Sequence, residues 1–176
     1  AIKQDLEYIF NETVNVPTMQ NEGRPKLSEI LRSEDIQTLE TVSTWQEAIH
    51  IASKPLLNGK AITENYIQAM IKNVDIYGPY IVLGPDIALA HALPKDGVNQ
   101  LGVSLLRLKK PVLFKERQAS LIFVLAPEDK HSHLRIMKDF LSLTADQSRI
   151  ELIKHADVES IPSLLDFNED RENNQY

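Results

Sequence analysis

The chain has no cysteine among its 176 residues. That absence excludes disulfides, thiolate metal sites and thiol nucleophiles, and it agrees with a cytoplasmic location. No apolar run approaches the roughly 18 residues needed to span a bilayer, and the first residues lack a secretory-leader pattern, so no membrane insertion is expected. Basic residues are in deficit: 19 Lys and Arg stand against 25 Asp and Glu, for a net charge of −6. A general nucleic-acid surface needs clustered Lys and Arg, so no direct nucleic acid contact is expected of this domain. The acidic balance suits a basic protein partner instead. Internal repeats are absent as well. What is present is a 43% hydrophobic composition, enough for one globular domain with a sizeable core and tails.

Residues 1 to 26 are mixed in polarity and end in Asn21-Glu22-Gly23-Arg24-Pro25, which reads as a linker or N-terminal extension. Ile2, Leu6, Ile9 and Phe10 have helical spacing within it. The chain opens on Ala1, not Met, as expected of a fragment or a processed chain. Thr44 and Glu47 form a capping box, and Trp45, Ala48, Ile49, Ala52 and Leu56 make the apolar face of the helix that follows, stopped at Asn58-Gly59. Thr63 is placed to cap a second helix, with Ile67, Met70, Ile71 and Val74 inward. Residues 101–108 read as a strand ended by Lys109-Lys110-Pro111, and residues 114–118 as an exposed loop. Residues 119–126 are apolar on both faces, which predicts a central strand. Leu134, Met137, Phe140 and Leu141 have the spacing of another core-facing helix. Ile150, Leu152 and Ile153 fit strand or helix, and residues 157–165 predict a last short helix. Strands alternating with helices imply an α/β fold.

The stretch of greatest interest is residues 76–98, IYGPYIVLGPDIALAHALPKDGV. A short apolar run, Tyr80 to Leu83, is broken by Gly84-Pro85-Asp86 and resumes at Ile87 to Leu89. His91 falls where that second run ends, just before Pro94 and the turn Lys95-Asp96-Gly97. A titratable ring at a strand end between rigid turns is a common setting for chemistry, although a lone histidine is more often a hydrogen-bonded structural residue. A second cluster, Asp129-Lys130-His131-Ser132-His133, stands before a helix. On residue types alone it reads as a polar cap with solvated Lys130 and Arg135. His50 and His155 read as surface or boundary residues.

The first of these stretches resembles the active-site segment of enzyme IIA domains of the bacterial phosphoenolpyruvate:sugar phosphotransferase system. The group is the ascorbate type of the mannitol/fructose superfamily. The residues that carry the likeness are Gly78-Pro79-Tyr80, Pro85, Ile87-Ala88-Leu89, His91-Ala92, Pro94 and Asp96-Gly97-Val98. The similarity runs over residues 27–165. It implies an enzyme IIA-like domain at 27–166, between the extension and a polar tail at 167–176. The implied fold is a three-layer sandwich with a central mixed sheet of about five strands flanked by helices.

The resemblance also implies the chemistry. His91 is the expected acceptor of a phosphoryl group from phosphohistidine on the carrier protein HPr, with no metal or organic cofactor. The resemblance points to His133, rather than His131, as the second histidine beside it. Three positions depart from the family pattern: Ala90 replaces a proline, and Leu93 and Asn73 stand where relatives carry arginine. These bear on onward transfer to enzyme IIB more than on acceptance at His91. Two functions follow. One is a regulatory module at the C-terminus of a transcriptional antiterminator or activator, which the lead-in, the start at Ala1 and Leu93 favour. The other is a stand-alone enzyme IIA component serving sugar or ascorbate uptake. Oligomeric state, a homo-oligomer included, is left open.

Overall fold

The computed structural model of the chain describes residues 24–129 and 131–167. The helix expected near residues 2–10, Lys130, and residues 168–176 of the tail lie outside them. Chain order gives α1 (Leu27–Ile30), β1 (Ile36–Leu39), α2 (Trp45–Asn58), α3 (Glu64–Tyr77), β2 (Val82–Gly84), β3 (Asp86–Ala90), β4 (Gly102–Phe114), β5 (Arg117–Ala126), α4 (Leu134–Thr144), α5 (Gln147–His155) and α6 (Ile161–Leu164). Single 3-10 turns lie at Ser33–Asp35, Pro94–Asp96 and Val158–Ser160.

The strands form one mixed sheet in the order β1-β4-β5-β3-β2. β1 runs parallel to β4 and β3 parallel to β5, while β4–β5 and β2–β3 are antiparallel. β5 occupies the middle, as its two apolar faces predict. Its side chains alternate between two cores. Ile122, Val124 and Ala126 pack under α2 and α3 with Ala88 and Ala90 of β3. Leu121, Phe123 and Leu125 face α1, α4, α5 and α6 with Ile87 and Leu89. The result is the three-layer α/β sandwich expected from the sequence. Among the described residues no helix is long and apolar enough to cross a membrane.

Several local expectations change. Lys109-Lys110-Pro111 does not end β4; the β4–β5 register shifts between Arg107 and Val112, and a proline without an N–H is tolerated at such an irregularity. Residues 114–118 are no loop, because Phe114 pairs with Arg117 and is fully buried. The connection is a two-residue turn with Lys115 at φ 57°. Residues 150–153 are helical, with Ile150 and Ile153 in the core and Leu152 outward.

The α2 capping box is displaced by one residue. Thr44 Oγ1 accepts from Glu47 N (3.1 Å), but the Glu47 carboxylate accepts from Ser43 N (2.8 Å) rather than from the cap itself. At α3 the Thr63 side chain makes no cap bond and donates instead to the Gly97 carbonyl. The end of the expected linker is structured: the Lys26 carbonyl accepts from Glu29 N and Ile30 N. Phe167, placed in the polar tail by sequence, lies under the Arg149 guanidinium at 4.4 Å from ring centroid to carbon.

Candidate functional site

Parallel neighbours leave a sheet side by side, and here β3 and β5 do so with Ala90 opposite Val124. The residues that follow each strand therefore emerge at the same end of the molecule, the common place for a site in an α/β sheet. After β3 comes His91; after β5 comes the segment ending in His133. Continuing the alternation of β3 turns His91 toward the face covered by α4, whose N-cap is His133. The two rings are near enough that a charge on His133 disfavours one on His91.

His91 is 3% exposed, and its Nδ1 lies 2.7 Å from the carbonyl oxygen of Leu89. A carbonyl only accepts, so Nδ1 carries the proton and Nε2 carries the lone pair. This supplies the orienting acceptor that the sequence does not disclose. Burial is the main reason the ring's pKa falls from 6.5 to about 4; the Leu89 carbonyl opposes the fall and His133 adds to it. His91 is therefore neutral and nucleophilic at neutral pH. The Tyr80 ring meets it edge-on, with centroids 6.2 Å apart and planes at 84°. Burial, with Tyr77 nearby, raises the pKa of the Tyr80 hydroxyl, while the Asn73 side chain acts against it.

His133 is fully buried, and its Nδ1 donates to the Asp129 carbonyl at 3.1 Å. Its Nε2 is buried and has no hydrogen-bond partner among the described residues. Burial lowers its pKa, with His131 and Arg24 pushing the same way and Asp129 opposing. A neutral His133 with its proton on Nδ1 cannot donate from Nε2. The support expected of it toward a phosphoryl group thus requires that it first take up a proton. His131 is exposed, and among the described residues only its backbone is hydrogen-bonded: Asp129 Oδ1 accepts from His131 N and Ser132 N, both at 2.7 Å. Those two bonds hold the Asp129 carboxyl below its usual range.

Arg135 is not solvated as expected, being 7% exposed and paired with Asp139 at 3.3 Å. His50 is half-buried on α2 and His155 exposed on α5, both remote in sequence from the pair. Ala90 is buried within the β3–β5 ladder, and Leu93 is buried beyond it. Asn73 is 2% exposed with Nδ2 unpartnered among the described residues.

Sequence reasoning missed Tyr66. This fully buried α3 residue accepts from Ala92 N at 2.9 Å and donates to the Leu125 carbonyl at 2.5 Å. One hydroxyl thereby ties the residue after His91 to the C-terminal end of β5. The signal was available as a phenol beside Ile67 on an otherwise apolar face. Beyond it, the Asp96 carboxylate accepts from Leu93 N (3.0 Å), and Thr63 N donates to Gly97 O (3.0 Å). Gly97 has φ 130°, and a Cβ there would lie 2.2 Å from Thr63 Oγ1, so only glycine fits this approach.

Comparison with known proteins agrees with this architecture. Residues 29–166 match the family model for the phosphoenolpyruvate-dependent sugar phosphotransferase system, EIIA 2. The ascorbate-specific phosphotransferase system EIIA component of Escherichia coli is 27% identical over 142 residues, 78% of this chain and 92% of that protein. The solution structure of the mannitol-specific cryptic enzyme IIA of Escherichia coli superposes with a TM-score of 0.73 at 28% identity, covering 80% of this chain and 98% of that one. The Escherichia coli enzyme IIA for mannitol, solved in complex with its phosphorylated enzyme IIB, gives a TM-score of 0.65 at 27% identity, over 75% and 94% of the two chains. The chain belongs to the EIIA type 2 family of the phosphoenolpyruvate-dependent sugar phosphotransferase system.

Proposed function

We propose that His91 receives a phosphoryl group from phospho-HPr and passes it to an enzyme IIB, within a relay domain spanning residues 27–166 in the cytoplasm. The observation that carries this reading is the Nδ1 bond to the Leu89 carbonyl in a buried, neutral ring, which leaves the lone pair on Nε2 and supports that nitrogen as the nucleophile. In the step itself the Nε2–P bond forms as the N–P bond of the donor phosphohistidine breaks. The donor ring departs with the electron pair, and the Nδ1 proton stays on His91. Such transfer passes through a loose transition state, so the protein contributes alignment and charge stabilisation rather than covalent chemistry. His133 takes a proton from solvent as the dianion arrives and then donates from Nε2 to a phosphoryl oxygen. The scheme uses no metal and no organic cofactor.

The transport reading now has more support than the regulatory module favoured by the sequence, since the relatives above are ascorbate- and mannitol-specific components by name. The experiment is incubation with phosphoenolpyruvate, enzyme I and HPr, followed by mass spectrometry under conditions that preserve phosphohistidine. Label is expected on His91 and absent from His91→Ala. Label persisting in that variant overturns the assignment, and failure to hand label to any enzyme IIB favours the regulator.

A further inference from the structure

A phosphorylated His91 brings close to two negative charges into a site where both imidazoles are held neutral. Its neighbours offer little compensation, since Leu93 is apolar and Asn73 uncharged. One permanent cation acts on the site: the charge of Arg24 disfavours a proton on His133. Arg24 lies three residues before Leu27, and Leu27 N donates to Asp139 Oδ2 (3.0 Å), which anchors the start of α1 against α4. That places Arg24 on the α4 side of the sheet, the side to which His91 turns. Its side chain is half-buried, and its Nη1 is fully shielded with no hydrogen-bond partner among the described residues. A shielded guanidinium N–H without an acceptor is unfavourable, and such a group is normally matched by an anion. The charge of Arg24 is felt at His133 together with those of Asp129 and His131.

We propose that Arg24 is the cation that holds the phosphoryl oxygens after transfer to His91, with Nη1 as donor. The proposal rests on the phosphoryl-acceptor reading above and adds to it a residue outside the 27–166 domain. It implies that the last residues of the N-terminal extension complete the site.

The test uses the full chain with Arg24→Gln and Arg24→Lys, labelled by phospho-HPr. Arg24→Gln is expected to slow labelling of His91 roughly tenfold, as befits loss of one charge-assisted donor. A purely structural role would not move the second readout, a phosphorus NMR titration of phospho-His91. Loss of the guanidinium should raise the pKa of the phosphoryl group, and Arg24→Lys should restore most of that shift. Proton NMR of the unphosphorylated chain should show the His133 pKa rising in Arg24→Gln. A parental labelling rate with an unmoved phosphoryl titration overturns the proposal and leaves His91 as acceptor. A slowed rate that Lys does not restore, accompanied by a lowered unfolding midpoint, also overturns it, because Arg24 is then only a structural residue. No label on His91 in the parental chain overturns the acceptor reading and this proposal together.

Discussion

At the end of the sheet where β3 begins, Asp86 meets Lys154 of α5 at 2.6 Å, and Glu151 lies 3.3 Å from the same ammonium. Arg107 nearby donates to the carbonyls of Ile153 (2.9 Å) and Ala156 (2.6 Å). Asp86, Arg107 and Lys154 line a cleft of about 510 Å³ with Ser120 and His155. At the end where β3 finishes, by contrast, two neutral imidazoles are buried, and His133 Nε2 has no hydrogen-bond partner among the described residues. In the cleft the charges already satisfy each other, whereas the histidine end keeps polar capacity in reserve. Concavity alone is therefore a poor guide in this molecule. The informative feature is a buried polar atom whose partner is not yet there.

Loss of label in His91→Ala is the largest effect expected at the histidine end. The next concerns its neighbour. His133→Ala should slow labelling of His91 by roughly a hundredfold at saturating phospho-HPr, the size expected for one lost transition-state donor. His131→Ala should change the rate less than about threefold, because its ring is exposed and stabilisation by a solvated group is weak. If His131→Ala proves the slower variant, the inward histidine has been assigned wrongly, and the contrast drawn between the two ends loses half its basis.

Acid and alkali should separate the ends as well. The folded pKa of His91 is about 4 against an ordinary 6.5, and that of His133 is lowered too. Between these values the unfolded chain binds more protons than the folded one. The histidine contribution is therefore complete above about pH 6.5, falls away toward pH 4 and levels off below it, a loss on the order of 3 kcal/mol for His91. Unfolding in urea across pH 4 to 7 should show this slope, and His91→Gln should flatten it. An unchanged slope in that variant would mean that other groups drive the acid loss.

How much of this was legible beforehand differs by region for physical reasons. The central strand declared itself because a strand covered on both faces is apolar at every position, as residues 119–126 are. The place of His91 just past a strand end was legible because glycine and proline bracket it, and such residues are chosen by backbone geometry rather than by packing; its expected role came from the family resemblance. The continuation of β4 through Pro111 was not, since a bulge depends on the register of its partner. Tyr66 was overlooked because its bonds reach 26 and 59 residues along the chain, a separation that no local pattern encodes. Arg24 was taken for linker on the strength of Gly23 and Pro25, and only the packing of α1 against α4 shows where it goes.

The smallest expected effect is at the quiet end and is the sharpest control on the comparison. Lys154 is 18% exposed, and burial acts to lower its pKa, yet the bond to Asp86 and the charges of Asp86 and Glu151 outweigh burial and raise it. A raised lysine pKa contributes stability that is fully present below the ordinary value of 10.5 and is lost as pH rises through the folded value. Lys154→Met removes that contribution and leaves Asp86 with part of its charge in water. Partial exposure limits the penalty, so the loss at neutral pH should be about 1 kcal/mol, between an exposed pair and a fully buried one. The variant should also lose the alkaline decline while keeping the acid slope set by His91. Labelling by phospho-HPr should stay within about twofold of the parent, because the pair sits at the opposite end of β3 from the histidines. A tenfold slower rate would show that the two ends are coupled through the strand.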